Sequence, residues 1–435
     1  ALTIGGTSAF TTSANDATIT LGDTSNIFTD AVSITTTDNE TGTANDSDVE
    51  INAGSSAELK FGTLTIKGDL STTSTHATGI SDTGVLTIHG TSSFTTSTDD
   101  ATIILNSTNL FTGQVTLSTA GTSGHVTLET GALQLRLTTS EVKGNLTIAA
   151  GAAVSNHGTV TVDGATDITA NDGGNNIRLE GQENVLTGAV SLDGWNVRLT
   201  NAKALELGTI DSRALELTAR GAITQTESSV ITSVGSSTII AQNSAGNTDY
   251  DVTLENAAND FRGALILTAG NVRVRDTDDV ELGASTVSGI YNLTAGGAVS
   301  DSGDLDIEGA TTILASGSNV VLDRATHDFT GAVGVTGAAV ELVDANGIDL
   351  GASTVSGTYA VTATAGDISN SGNLVITGAA TFITTAADSN IILGESGNAF
   401  TSTVTMQAGN GSADFGDITF VDSAAVRLHT SAQSA

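Results

Sequence analysis

The chain has 435 residues, of which 50 are glycine and none is proline or cysteine, and its formal net charge is −34. The missing cysteines exclude disulfide frameworks, thiol catalysis and thiolate metal sites, and the missing prolines exclude collagen and proline-rich linkers. Because phosphates are bound by Lys and Arg, and because no apolar run is long enough for a membrane helix, we expect neither nucleic-acid binding nor direct membrane insertion.

Short triplets in which two apolar residues flank a polar one recur along the chain and predict half-buried β-strands. The apolar side chains are expected to face inward and the central residue to face solvent. Gly, Asn, Asp and Ser separate the triplets, as turns require. Helix signals are scarce, so an all-β protein is predicted. In chain order the triplets include Leu64-Thr65-Ile66, Val126-Thr127-Leu128, Leu133-Gln134-Leu135, Val197-Arg198-Leu199, Leu205-Glu206-Leu207, Val272-Arg273-Val274 and Leu305-Asp306-Ile307.

A bulky apolar residue followed by Thr-Gly, or by a variant of it, recurs at longer intervals. Asn stands two positions before this anchor residue, except at the fifth anchor, where His327 takes its place. We expect the anchors to stack inside the protein and the Asn residues to form side-chain ladders at turns. The anchors are Phe28, Phe111, Leu186, Phe261, Phe329 and Phe400, at steps of 83, 75, 75, 68 and 71 residues.

Longer blocks of sequence keep the same step. The block LGASTVSG at 282–289 returns without change at 350–357. The block VLTIHGTSSFTT, which begins at Val85, resembles ALTIGGTSAFTT at the start of the chain. Repeats of this length indicate a repeat architecture, and we predict about six repeats of 68–83 residues.

Equivalent strands within a repeat recur about every 20–25 residues, which suits one coil of a β-solenoid. Roughly 18 coils would fit in the chain, and at about 4.8 Å per coil they would form a rod ~85 Å long. A β-propeller is the structural alternative, but its blade motifs are missing. We therefore predict one continuous solenoid over residues 1–435. It is expected to begin and end within a repeat, as a segment of a longer array or as a filament subunit.

The solenoid also offers a reason for the missing prolines. Almost every strand in a solenoid has a neighbour on both sides, so that nearly every strand N–H is used by the ladder and proline would remove one. Turns tolerate proline, so a count of zero is lower than this reason requires.

The segments N-x-F-T-G-A-V, LGASTVSG and GGAVSDSGDLDIEGATTI resemble repeats of filamentous-haemagglutinin-like adhesins and long autotransporter passengers. The resemblance extends from Ala1 to about Leu428. It implies a right-handed parallel β-helix that is exported across the Gram-negative envelope to the extracellular cell surface. It transfers no catalytic residues.

These features favour a non-enzymatic structural or adhesive protein. The negative charge would keep copies soluble and mutually repelling, and many equal weak contacts would bind by avidity. Expected partners are a second copy stacked end to end, a host or neighbouring cell surface, or a matrix polysaccharide. The sequence does not separate an adhesin from a filament or surface-layer subunit.

One acidic cluster is a candidate calcium site, because hard oxygen ligands at close spacing suit Ca²⁺. Neither the calcium β-roll repeat nor an EF-hand loop occurs, so solvated turn carboxylates are the competing interpretation. No other cofactor is expected. The cluster consists of Asp276, Asp278, Asp279 and Glu281.

A polysaccharide-cleaving β-helix enzyme is the alternative function, since such enzymes group carboxylates on one face. Asp304 and Asp306 share a predicted strand face, but equivalent outward positions elsewhere are Thr161 and Val375. An ice-binding solenoid is a third possibility, but the varied outward residues disfavour a flat threonine array. Trp195 and three tyrosines are too sparse for an aromatic sugar-binding platform.

Overall fold

The computed structural model describes residues 1–38, 47–171, 173–181, 184–410 and 415–430. The regular elements in these ranges are β-strands, which form a parallel β-solenoid of about 20 turns and confirm the predicted fold class. Within the same ranges, no helix is long and apolar enough to cross a membrane. The chain divides into two compact units, Ala1–Ala219 and Arg220–Ala435.

Most strands have two to five residues. Those of the first unit are β1 (Thr3–Ile4), β2 (Ser8–Thr11), β3 (Ile19–Leu21), β4 (Ile27–Phe28), β5 (Val32–Thr35), β6 (Val49–Ala53), β7 (Leu59–Ile66), β8 (Leu70–Ser74), β9 (Gly79–Asp82), β10 (Leu86–Ile88), β11 (Ser92–Asp99), β12 (Thr102–Phe111), β13 (Gln114–Ala120), β14 (Val126–Thr130), β15 (Leu135–Leu137), β16 (Ser140–Val142), β17 (Leu146–Ala150), β18 (Val154–Asn156), β19 (Val160–Val162), β20 (Thr166–Ala170), β21 (Ile177–Leu179), β22 (Val185–Leu186), β23 (Val190–Asn201) and β24 (Leu205–Ala219). Those of the second unit are β25 (Ile223–Gln225), β26 (Ile231–Ser233), β27 (Ser237–Ala241), β28 (Val252–Leu254), β29 (Asp260–Phe261), β30 (Leu265–Ala269), β31 (Val272–Asp276), β32 (Val280–Leu282), β33 (Ser285–Val287), β34 (Tyr291–Ala295), β35 (Val299–Asp301), β36 (Leu305–Ile307), β37 (Thr311–Leu314), β38 (Val320–Leu322), β39 (Asp328–Phe329), β40 (Val333–Gly337), β41 (Val340–Asp344), β42 (Ile348–Leu350), β43 (Ser353–Val355), β44 (Tyr359–Ala363), β45 (Ile368–Asn370), β46 (Leu374–Ile376), β47 (Ala380–Thr384), β48 (Ile391–Leu393), β49 (Ala399–Phe400), β50 (Thr403–Gln407), β51 (Ile418–Phe420) and β52 (Arg427–Thr430).

Three strands make one coil over most of the described chain, because a strand pairs with the strand three places further along. Where the strands are longer, as in the pairs β11–β13 and β12–β14, the partner is two places further along. The ladder β31–β34–β37–β40 shows the step, since it aligns Val272, Tyr291, Thr311 and Val333. A coil on this ladder therefore takes 19–22 residues. Other ladders step by 20–24 residues, as in β14–β17 and β20–β23, which agrees with the predicted step of 20–25 residues, and about 20 turns form where roughly 18 were predicted.

The sequence repeat of the second unit is not a whole number of coils. Ten strands, β31 to β40, are followed by ten equivalent strands, β41 to β50, so each repeat is three coils and one further strand. The extra strand is accommodated where β40 pairs with both β42 and β43. Strand β41 therefore continues the ladder of β38 instead of that of β31. Equivalent residues of these two repeats lie on different ladders.

Alternation along each strand decides which side chains enter the narrow core. In β17 and β20 the first, third and fifth residues are buried and the others are exposed. The predicted triplet Leu133-Gln134-Leu135 is wrong by two residues, because the strand is Leu135–Leu137 and Leu133 is 41% exposed. Pairing with β13 and β18 sets this register and places Leu135 and Leu137 inside.

Glycines stack on one another at the turns of successive coils. The N–H of Gly289 donates to the carbonyl of Gly270 at 2.9 Å, and the N–H of Gly309 donates to that of Gly289 at 3.1 Å. A Cβ on Gly309 would collide with the Gly289 carbonyl. Turn residues thus use their N–H groups between coils as strand residues do, which extends the reason for the missing prolines to the turns.

Candidate functional site

The structure places all six anchors in the core, where each exposes 2% or less of its surface. Three of them contact a second phenylalanine edge to face, an arrangement that aromatic rings favour. These contacts are Phe10–Phe28, Phe94–Phe111 and Phe382–Phe400, with centroid distances of 6.4, 6.0 and 6.1 Å. The six anchors are Phe28, Phe111, Leu186, Phe261, Phe329 and Phe400.

The polar side chain two positions before each anchor joins one coil to the preceding coil. It is at most 3% exposed and accepts a hydrogen bond from a backbone N–H 22–28 residues earlier. These inter-coil bonds take the place of the expected ladders at turns, since a buried backbone donor needs a partner. The bonds are Leu2–Asn26, Leu86–Asn109, Val160–Asn184, Ile231–Asn259, Leu305–His327 and Leu374–Asn398, at 2.7–3.0 Å.

From Asn109 onward, the same side chain also meets a polar residue that ends a strand of the preceding coil. We call these two residues the buried polar pair; the second member is buried in every pair, and the first is buried at Asp82 and half-buried in the other four. The residue types differ between pairs, but the position in the fold is the same. The pairs are Asp82–Asn109, Asn156–Asn184, Gln225–Asn259, Asp301–His327 and Asn370–Asn398, with nitrogen–oxygen distances of 2.7–3.3 Å.

Sequence reasoning missed the first member of each pair. The signal was present, because β9, β18, β25, β35 and β45 each end in Asp, Asn or Gln after Ser or Thr. Alternation alone did not reveal it, since a polar residue at the end of a strand is also typical of a solvated turn.

The pair Asp301–His327 is the one in which histidine replaces asparagine. His327 is fully buried, and its Nδ1 accepts the N–H of Leu305 at 2.9 Å. This bond assigns the imidazole proton to Nε2, which lies 3.3 Å from Asp301 Oδ2. Burial lowers the pKa of His327, although Asp301 acts in the opposite direction. A second proton would displace the Leu305 N–H from Nδ1.

We expect His327→Asn to reduce the sensitivity of the fold to acid. Folding lowers this pKa, so the contribution of neutral His327 is complete above about pH 6.5 and is lost as the pH falls. The variant would recreate the pair type of Asp82–Asn109. Urea unfolding of the wild type and the variant between pH 7 and pH 5 measures the difference in their free energies of unfolding. The two proteins have the same carboxyl groups, so that the difference reports His327 alone. Parallel pH profiles of the two proteins would contradict this role of His327.

A second group of buried acceptors satisfies the backbone N–H of the anchor itself. In three repeats this acceptor lies 15 residues after the anchor, in the bonds Leu186–Asn201, Phe261–Asp276 and Phe329–Asp344, at 2.7–2.8 Å. Burial raises the pKa of Asp276 and of Asp344 to about 6, against the effect of two backbone N–H donors at each carboxylate. Nearby carboxylates raise it further, Asp278 and Asp260 at Asp276 and Asp328 at Asp344.

We expect Asp344→Asn to stabilise the protein at pH 7 by about 2 kcal/mol. A rise of two pKa units, which already includes both N–H bonds, corresponds to about 3 kcal/mol, and the new Nδ2 group of Asn, which would face the Asn346 N–H donor, costs about 1 kcal/mol. Since the folded pKa is raised, the contribution of Asp344 is complete below about pH 4 and is lost as the pH rises to about 6. In urea unfolding from pH 4 to pH 7, the variant should not show the fall in the free energy of unfolding that Asp344 causes in the wild type. Asp304→Asn is the control, because Thr326 and Arg324 lower the pKa of that exposed carboxyl, and an equal gain there would contradict the account.

The structure does not gather the four acids of the calcium candidate. Asp276 is 4% exposed, and its oxygens accept the N–H groups of Phe261 and Asp278. Asp278 and Asp279 are exposed, whereas Glu281 is half-buried on β32. In the ranges that the structure covers, no group of three or more His, Cys, Asp or Glu residues is placed to hold a metal ion.

The carboxylates considered for catalysis lie on the outer surface of the second unit. Asp304 accepts hydrogen bonds from Arg324 at 2.7 Å and from Thr326 at 2.6 Å. Asp306 lies in register between Thr286 and Asp328. The equivalent column of the next repeat is Thr354, Val375 and Ala399, so the carboxylates of this face do not recur.

A family described as repeats of unknown function (DUF5649) matches five segments of the chain, residues 46–118, 123–193, 194–268, 269–336 and 337–407. An anchor lies seven residues before the end of each segment, beginning with Phe111 and ending with Phe400. The predicted number of about six repeats is corrected to five, because Phe28 precedes the first matched segment. The chain matches no curated protein and no solved structure.

Proposed function

The chain belongs to the family of repeats of unknown function (DUF5649), and from this premise we propose that it is a structural and adhesive β-solenoid protein of a bacterial cell surface. The observation that carries the proposal is the buried polar pair, which is present in all five matched repeats. The side-chain chemistry that recurs is inside the protein and joins coils. Recurring hydrogen-bonding residues between coils, with no recurring surface site among the described residues, favour a role in mechanical support.

The outer surface supports a binding role that depends on many weak contacts. The residues at equivalent outward positions change, as when Asp306 is followed one repeat later by Val375. A chain of net charge −34 repels nucleic acid and anionic lipid, and we propose a cell surface or a matrix polysaccharide as the partner instead. Repeated weak contacts bind firmly through avidity. The resemblance to filamentous-haemagglutinin-like adhesins and autotransporter passengers supports an extracellular location.

Self-association by stacking of coils is part of this proposal. A parallel coil offers a row of backbone N–H and C=O groups in the direction of the next coil, and a second copy could pair with such a row. The strong negative charge opposes close approach at low ionic strength. We therefore expect association of the purified chain to increase with salt, as measured by light scattering. A monomer at every salt concentration would remove self-association from the proposal.

Immunogold electron microscopy of intact source cells tests the proposed location. We expect antibody against the chain to label the outer surface without permeabilisation. A regular polymer under the label would identify a filament or surface-layer subunit, and separate thin projections would identify an adhesin. Label that appears only after permeabilisation would contradict the proposal.

A further inference from the structure

A groove of about 540 Å³ lies on the outside of the first unit. The aligned residues Glu129, Ala149, Thr169 and Asp193 run along it, one from each of four successive coils. At about 4.8 Å per coil, this column is about 14 Å long. The groove is within the size range of small-ligand sites, and its direction suits an extended ligand laid across the coils.

The described lining of the groove combines small residues, which form its floor, with polar ones. Ala149 and Gly151 are the small residues, whereas Glu129 and Thr169 carry a carboxylate and a hydroxyl group. None of the described residues that line the groove is Lys or Arg. The groove is therefore suited to a ligand with many hydroxyl donors and is unsuited to an anion.

An exposed aromatic residue lies on the strand that contributes Asp193, just beyond the described lining of the groove. Trp195 follows Asp193 by two residues on β23, is 42% exposed and is the one tryptophan of the chain. The guanidinium carbon of Arg213 lies 4.8 Å from the centroid of its ring, and this cation–π contact orients the indole. One ring does not make the aromatic platform that the sequence analysis excluded, but a single ring near a polar groove adds contact area for one partly apolar sugar ring.

We propose that this groove binds an uncharged polysaccharide, with Trp195 against a sugar ring at one end. The inference rests on the proposed function, because it names a ligand for the adhesive surface. The net charge of −34 and the lack of Lys and Arg among the described lining residues disfavour an acidic glycan. We propose binding without cleavage, since Glu129 and Asp193 lie on strands three coils and about 14 Å apart, whereas glycoside hydrolysis needs carboxyl groups about 5–9.5 Å apart.

Titration of the full chain with neutral tetrasaccharides of glucose, mannose and N-acetylglucosamine tests the proposal. Trp195 fluorescence reports the site directly, because no other tryptophan contributes. We expect a saturable change with at least one of the three sugars. Calorimetry with Trp195→Ala should then show affinity for that sugar reduced at least fivefold.

Two matched leucine variants separate the groove from the rest of the strand. Ala149→Leu places a larger side chain on the groove floor at an exposed position and should weaken binding at least tenfold. Thr147→Leu adds a similar side chain on the exposed side of the same strand, outside the groove, and should change affinity less than twofold. Thermal unfolding of both variants checks that each is folded.

Three results would overturn the groove proposal. They are no response to any of the neutral sugars, unchanged affinity in Ala149→Leu, or tighter binding of polygalacturonate than of neutral sugars. Each of these leaves the surface-protein proposal standing, because labelling of intact cells decides that question separately. Internal label on cells would in turn reject the surface location even if the groove binds sugar in solution.

Discussion

Replacing Asn184 by alanine is expected to lower the free energy of unfolding by at least about 3 kcal/mol. Asn184 Oδ1 accepts the Val160 N–H at 3.0 Å and the Asn156 Nδ2–H at 2.8 Å, and its Nδ2 donates to the Leu179 carbonyl at 3.0 Å. Alanine leaves the buried Val160 N–H and Leu179 carbonyl without this partner, at about 1–3 kcal/mol each, and removes about 1 kcal/mol of bonding to the half-buried Asn156, whose Nδ2 also donates to the Gly158 carbonyl. Urea unfolding of the full chain, followed by circular dichroism, measures the loss.

The double variant Asn156→Asp with Asn184→His is the matched control for this experiment. It transfers the Asp301–His327 pair type to another repeat, where His Nδ1 can accept the Val160 N–H. We expect it to recover at least half of the loss at pH 7 and to make the repeat more sensitive to acid. A cost below about 1 kcal/mol for Asn184→Ala would mean that the pair does not hold the coils together.

Gly309→Ala is expected to destabilise the protein by about 3 kcal/mol, the upper part of the range for overpacking. The new Cβ would occupy the place of the Gly289 carbonyl, which accepts the Gly309 N–H at 3.1 Å. The two coils would have to separate locally, and the hydrogen bond between them would lengthen. The thermal unfolding midpoint, measured by circular dichroism, reports the change.

Gly394→Ala is the control, because a Cβ at that turn meets nothing within 4 Å and the backbone there is not left-handed. We expect its midpoint to equal or slightly exceed that of the wild type, since alanine restricts the unfolded chain. If the two variants lower the unfolding midpoint equally, turn glycines are needed for flexibility and close stacking between coils is not the reason for them.

The strands and the repeat anchors were predictable from the sequence because both depend on short-range alternation and regular spacing. Phe111 and Phe400 could be assigned to the interior for this reason. Leu133 could not be placed correctly, because the strand register there depends on pairing with neighbouring coils.

The buried polar residues were harder to predict, since their partners lie 15 or more positions away along the chain. Asp276 was read as part of a surface cluster from its acidic neighbours, but one coil earlier the Phe261 N–H points at it. Asp301 was not noticed, because its relation to His327 spans 26 positions and requires the coil length to be known. Sequence spacing reveals such pairs only after the three-strand coil is established.

Hydrogen exchange at five backbone amides tests most directly whether the buried polar pair joins successive coils. We predict that the N–H groups bound by the pairs exchange as slowly as neighbouring amides of the strand ladders, because both open only when coils separate. Exchange as fast as that of exposed turn amides would contradict this account. The five amides are those of Leu86, Val160, Ile231, Leu305 and Leu374.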